Sequence, residues 1–410
     1  MIDKIIFLLI LFLPTQLSRH FWLRESYLFG LRIDYLSPTV YLQDLLVLPL
    51  IILFLRKYHK QFRQKKYFLF TGLYLITSLL NIYFSLSPII SFFYWLRISE
   101  LVLFVLALGK YSKQTLNYLQ KLLPLTVVFE FGLAVVQMIK QGSLGGVFWL
   151  LGERSFNIFT PGIARADWLG QVVLRPYGTF SHPNSLAGFI LVALVFIFAK
   201  KELKTLDQLS LVAGCLLLFL SFSRTVWLTV FVLAFVYVLY LLKENFREWR
   251  LKLSFKYLAT LSILPLTVFF FTQTAIAPSS FTVRQDLGEL ALKLIKSSSL
   301  LGVGGNNFVI ALAQNQRVWE WLYWLQPVHN IFLLLAAEIG LVALVLFSVL
   351  MFIAMKRSLL VSCYWLSVAL FAVILTGLFD HYWLTLIQNQ FLFAAVLGLS
   401  FGLSDDKIRP

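Results

Sequence analysis

The chain has 410 residues, 60% of them hydrophobic and only 13% charged, with a mean hydropathy of +0.82. A soluble protein of this size carries roughly a quarter charged residues, so the composition excludes a single water-soluble core and points to an all-α polytopic membrane protein. The net charge of +16 would suit nucleic acid, but in a membrane protein the placement of Lys and Arg follows topology, and no nucleic-acid partner is expected.

Cys215 and Cys363 are the only cysteines, both in apolar runs, which excludes a disulfide framework and a cysteine-based zinc site. At the N-terminus Lys4 precedes the apolar run 5–13. No small-residue cleavage site follows, so the run reads as an uncleaved first span. A span needs about 20 apolar residues, and such stretches fall near 4–22, 38–55, 67–85, 88–109, 122–139, 184–200, 208–222, 225–242, 257–274, 330–355, 359–379 and 386–403. Together they predict about 12 transmembrane helices in one membrane-embedded domain, 1–410.

An even count puts both termini on the cytoplasmic side. Inner loops then hold Arg56, Lys57, Lys60, Lys110, Lys113, Lys200, Lys201, Lys243 and Arg247 among others, as the positive-inside rule requires. Outside lie the two longest polar segments, 140–183 and 275–329, both expected to contain amphipathic helices, with His20, His182, His329 and His381. The first ends in the turn-rich run RPYGTFSHPN. In the second, Leu287, Leu290, Ala291 and Leu294 recur at helical spacing opposite Gln285, Glu289, Lys293 and Lys296, which predicts an amphipathic helix at the membrane interface. Trp319, Trp321 and Trp324 read as an interfacial aromatic belt.

Three arginines on the outer side are candidates to bind an anion. Arg175 precedes a Pro–Gly turn, Arg224 follows Ser221-Phe222-Ser223 at a span end, and Arg284 opens the amphipathic helix. Converging guanidinium forks suit a diphosphate, although interfacial arginines also reach for lipid headgroups. His329 stands at the outer lip of a span, where an imidazole kept neutral by cationic neighbours can take a proton from an acceptor hydroxyl or simply cap the helix. Asn330 suits a helix cap or a contact to substrate hydroxyls. Glu338, two turns further in, could orient a histidine, pair with an arginine or hold helices together. Arg97 and Glu100 stand at i, i+3 and read as an internal ion pair. The turn Gly302-Val303-Gly304-Gly305 follows no strand and is no dinucleotide fingerprint. No clustered His/Cys set or H-E-x-x-H run is present, so neither metal nor cofactor is expected.

Three blocks in fixed order carry a family resemblance: RPYGTFSHPNSLAGF at 175–189, SFSRTVWL at 221–228, and VRQDLGELALKLIKSSSLLGVGGNNF at 283–308 with HNIFLLLAAEIGL at 329–341. The chain resembles the O-antigen ligase and O-antigen polymerase superfamily of bacterial inner-membrane glycosyltransferases over roughly 60–403. Ten residues separate His329 from Gly340, one more than ligases usually have, which leaves ligase against polymerase open. The resemblance implies metal-independent, inverting transfer of a glycan from an undecaprenyl-diphosphate carrier to a glycan, lipid or protein acceptor on the periplasmic face. It implies catalytic roles for Arg224 and Arg284 on the diphosphate and for His329 at the acceptor hydroxyl. Arg175, His182 and Asn184 would position the donor, with Asn330 and Glu338 as further substrate contacts. A flippase or transporter of a lipid-linked glycan is the competing class, and it should carry its polar residues at mid-membrane in broken helices. A metal-dependent transferase would place its acid in the first outside loop, at Asp34.

Overall fold

The computed structural model describes residues 1–62, 65–248, 265–274, 278–315, 325–361 and 363–403. The helices in chain order are α1 (Ile2–Leu11), α2 (Leu42–Phe62), α3 (Lys65–Tyr83), α4 (Pro88–Lys110), α5 (Ser112–Lys140) and the single turn α6 (Val147–Leu150). They continue with α7 (Pro183–Phe198), α8 (Thr205–Leu220), α9 (Arg224–Glu248) and the described part of α10, residues 265–273. Then come α11 (Pro278–Ser297), α12 (Phe308–Asn315), α13 (Ile331–Ile339), α14 (Leu341–Leu360), α15 (Tyr364–Gly377), α16 (Tyr382–Thr385) and α17 (Ile387–Gly402).

Helices α4, α5 and α14 are long and apolar enough to cross a membrane, and α7, α8, α15 and α17 are shorter apolar helices. Large apolar side chains such as Ile76, Leu79, Leu96, Val345 and Phe352 are more than half exposed or close to it on the bundle's flank. A water-soluble surface does not carry a belt of that kind, and the chain is a helical membrane protein. At its centre stand α7 and α17, largely apolar and almost wholly buried. They share one core cluster with α1, α2, α4, α5, α8 and α15.

Three departures from the expected spans matter for the site. The first is the N-terminal helix, expected over 4–22, which ends at Leu11. After Pro14 the chain forms a clasp of two small antiparallel ribbons, β1 (Ser18–His20) with β4 (Thr39–Tyr41) and β2 (Tyr27–Leu28) with β3 (Leu31–Arg32). Proline removes the N–H that another helical turn would need.

The second is the expected span 330–355, which breaks at Gly340 into α13 and α14. Gly340 has φ +96°, and a Cβ there would stand 2.0 Å from the Leu300 carbonyl oxygen, so the break is built around glycine. The third concerns segment 140–183, which carries no long amphipathic helix. It folds as α6 and a hairpin of β5 (Arg165–Trp168) and β6 (Gln171–Leu174).

Segment 275–329 does contain the expected amphipathic helix, α11. Its apolar face, Val283, Leu287, Leu290, Ala291 and Leu294, packs on protein, in a cluster with Leu334 and Ala337 of α13. Trp319, Trp321 and Trp324 lie outside the described residues.

The glycine turn 302–305 is a clasp between α3, α4 and α13. Asn81 sits at its centre with all four hydrogen bonds made. It donates to the carbonyls of Leu301 (2.6 Å) and Glu338 (3.0 Å) and accepts from Trp95 Nε1 (2.8 Å) and Gly305 N–H (2.9 Å). Asn307 extends the clasp, accepting from Ser87 N–H at 2.7 Å and donating to Ser91 Oγ at 2.8 Å. Arg97 pairs with Glu100 as expected and also with Asp44, both at 2.5 Å, tying α4 to the start of α2.

Candidate active site

At one end of the bundle, segments far apart in sequence enclose a cavity of about 1690 Å³. Arg175, His182, Asn184, Arg284, His329 and Glu338 all line it. Six of the eight residues singled out from the sequence therefore meet in one place. Asn330 and Arg224 are not on the wall. Asn330 is the N-cap of α13, accepting from the N–H groups of Phe332 (2.9 Å) and Leu333 (3.0 Å) and donating to the Leu378 carbonyl (3.0 Å). Arg224 donates to the Thr274 carbonyl and, at 3.0 Å, to Thr274 Oγ1.

The turn 175–182 is held from below by α5. Gln137 Oε1 accepts from Tyr177 N–H (3.0 Å) and Gly178 N–H (2.8 Å), and Glu130 accepts from Thr179 N–H (3.0 Å) and Thr179 Oγ1 (2.6 Å). Gly178 has φ +56°, and a Cβ there would stand 2.1 Å from Glu130 Oε2, so only glycine lets the turn close on these partners. From this turn Arg175 donates through Nε to the Ser221 carbonyl (2.8 Å) and through Nη2 to Asn184 Oδ1 (2.5 Å). Asn184 then donates to Asp380 Oδ2 at 2.7 Å. One hydrogen-bonded chain thus runs from the Ser221-Phe222-Ser223-Arg224 turn, through Arg175 and Asn184, to Asp380.

Asp380 and His381 are the residues that the sequence reading did not place in the site. They stand behind His329, whose ring centroid is 5.2 Å from that of His381. Asp380 Oδ1 accepts from the His381 N–H at 2.8 Å, and His381 Nδ1 meets Thr385 Oγ1 at 2.7 Å. The available signal was a polar pair, Asp380-His381, isolated in the apolar run 359–403. His329 Nδ1 is buried without a hydrogen-bond partner among the described residues. Glu338 spends a carboxylate oxygen on the Phe308 N–H at 3.0 Å. It therefore anchors the glycine turn and, among the described residues, pairs with no histidine or arginine.

The electrostatics follow from this crowding. Burial pushes His329 down to about 3, against the pull of Asp380 and with help from His381 and Arg284. His182 is pushed down to about 3 by burial and then by Arg175. Its Nδ1 accepts the Asn184 N–H at 3.1 Å, which leaves the neutral ring's proton on Nε2. Burial alone would raise Asp380, but His329, His381, His182 and Arg284 outweigh it and hold the carboxyl below its ordinary range. Burial brings Arg175 to about 10, offset by Tyr177 and Asp380 and reinforced by Arg284 and Arg224. The site thus sets an ionised carboxylate behind neutral imidazoles, with guanidinium groups at its edge. His182 and Asn330 also mark the N-termini of α7 and α13, whose partial positive charges add to that field.

His329, Asp380 and His381 each offer a ligand atom within 4.8 Å of the others. Both Asp380 oxygens already accept from protein N–H groups and His381 Nδ1 meets Thr385 Oγ1, which leaves His381 Nε2 and His329 Nδ1 as ring nitrogens without a partner among the described residues.

A histidine whose Nδ1 has no partner among the described residues, a buried carboxylate and two arginines thus meet around one cavity of a helical membrane protein. Residues 209–348 match the family model described as O-antigen ligase. The match spans Arg224, Arg284, His329 and Glu338 but not Arg175, His182, Asn184, Asp380 or His381. No curated protein matches the chain.

Proposed function

We propose that the protein is a glycosyltransferase of the bacterial plasma membrane. It moves an oligosaccharide from an undecaprenyl-diphosphate carrier to an acceptor hydroxyl, with the cavity on the periplasmic or outer face and both termini cytoplasmic. The observation that carries this reading is the meeting of Arg175, Arg284 and His329 in one cavity, backed by Asp380.

In this reading Arg284 and Arg175 bind the diphosphate and stabilise the negative charge that grows on it as the glycosidic bond breaks. Arg224, held by Thr274 at the other end of the Ser221 turn, adds to the positive field and keeps that turn in place. His329 is neutral in the free protein and takes the acceptor proton. The imidazolium that forms is stabilised by the Asp380 carboxylate and by the negative diphosphate, which lifts its basicity on substrate binding. Attack from the face opposite the leaving diphosphate inverts the anomeric centre. No step calls for a metal. The polar groups lie together at one end of the bundle, which favours a transferase over a transporter.

The test uses membranes holding the wild type, His329→Ala or Arg284→Ala, a lipid-diphosphate-linked oligosaccharide, and EDTA. Wild type should consume the donor and extend or shift the acceptor, with both variants at least about 100-fold slower. A ladder of repeats would mark a polymerase and one shifted band a ligase. Wild-type rates in both variants, or loss of activity with EDTA that Mg²⁺ restores, would overturn the proposal.

A further inference from the structure

The N-terminal clasp lies outside the matched segment, yet it builds one wall of the cavity and sets Tyr35 against the histidines. The ring of Tyr35 meets that of His381 edge-on at 5.7 Å between centroids. Its loop is held rigidly. Residues Asp34–Leu36 form a 3₁₀ turn. Ser26 Oγ donates to the Leu36 carbonyl (3.1 Å), Ser37 Oγ donates to the Asp34 carbonyl (3.0 Å), and Asn306 Nδ2 donates to the Tyr35 carbonyl (2.6 Å). Ile33 and Leu36 are buried against Ile90, Val309 and Ile310.

This much order is spent on a phenol that makes no hydrogen bond of its own among the described residues. Beside it Asp34 and Arg154 form an ion pair at 3.5 Å, each side chain about half exposed (56% and 49%), joining the clasp to segment 140–183. Phe21 and Trp149 line the same cavity and are exposed. Flat aromatic faces, a carboxylate, a guanidinium and a phenol lining one cavity are the chemistry that holds a sugar ring, whose C–H faces stack and whose hydroxyls both donate and accept. The charges acting on the Tyr35 phenol are Asp380, Arg154 and Asp34. Tyr35 thus stands against His381, which in turn stands against His329.

We infer that Tyr35, with the Asp34–Arg154 pair, forms the subsite for the acceptor sugar, hydrogen-bonding the ring whose hydroxyl His329 deprotonates. The inference rests on the proposed transferase reaction. It also makes the clasp, outside the matched segment, the part of the chain that selects the acceptor.

The test takes the full chain in lipid nanodiscs as wild type, Tyr35→Phe, Tyr35→Leu and Asp34→Asn. Undecaprenyl-diphosphate-linked oligosaccharide is the donor and a panel of soluble neutral oligosaccharides supplies acceptors. Binding of undecaprenyl diphosphate alone and of each soluble oligosaccharide is measured by calorimetry. Tyr35→Phe should raise the acceptor KM about five- to tenfold, the loss of one hydrogen bond, with kcat and donor KM within about twofold. Tyr35→Leu, which also loses the ring, should raise it further. Unchanged acceptor binding in both Tyr35→Phe and Asp34→Asn would overturn the assignment, and so would a rise confined to the donor KM. A wild type that binds oligosaccharide but not undecaprenyl diphosphate would refute the transferase reading instead, while weaker oligosaccharide binding by Tyr35→Phe would still support the subsite.

Discussion

Asp380→Asn is the most informative single substitution. The aspartate is buried, accepts from Asn184 Nδ2 and the His381 N–H, and lies within 4.8 Å of a ring nitrogen of His329. Asparagine keeps the shape and one acceptor but removes the charge that stabilises imidazolium on His329. At that separation and an effective dielectric of about 20, the lost attraction is about 3.5 kcal/mol, equivalent to a rate loss on the order of 10²-fold. The expectation is that kcat falls by this amount while the KM values of donor and acceptor stay within about threefold. The assay is steady-state transfer from the lipid-linked donor in nanodiscs, with thermal unfolding followed in parallel. A kcat within threefold of wild type, in a variant that melts at the wild-type temperature, would refute the role given to Asp380.

Three further outcomes follow from the geometry. Asn81→Ala strands the Trp95 and Gly305 donors and the Leu301 carbonyl, while the Glu338 carbonyl keeps the Gly304 N–H. It should cost roughly 2–4 kcal/mol, read as a lower unfolding temperature. Gly340→Ala forces a Cβ against the Leu300 carbonyl at positive φ and should cost about 2 kcal/mol or more, with Ser348→Ala on the exposed flank as a near-neutral control. Stability should also fall on acidification. Folded His182 and His329 titrate near 3, against about 6.5 for an unfolded histidine, so between those values the unfolded chain binds more protons and stability drops as pH falls through the window. Asp380, held below its ordinary range, adds a further loss at lower pH. A melting temperature that is flat from pH 7 to pH 4 would contradict this, and His182→Asn should flatten it in part.

Helix positions were legible because a membrane span declares itself in one dimension. The expected spans at 88–109, 184–200 and 208–222 became Pro88–Lys110, Pro183–Phe198 and Thr205–Leu220. His329, Arg284, Arg175 and His182 could be named because charged and imidazole groups are costly in an apolar chain and stand out against it. Hydropathy says nothing of a backbone that breaks while staying apolar, which hid the division at Gly340. It is equally silent on a short polar stretch that folds back on itself, which hid the clasp formed by residues 14–41.

What the sequence determined alone was the class of protein and the chemistry at hand, because composition and residue type are local properties. Only the tertiary structure decided which groups act together. Asp380 and Asn184 are 196 positions apart, and Tyr35 and His381 are further apart still. Their meeting depends on where α7 and α15 pack and on how the N-terminal clasp closes over them. No periodicity along the chain encodes that juxtaposition, because it arises from the summed packing of the whole bundle.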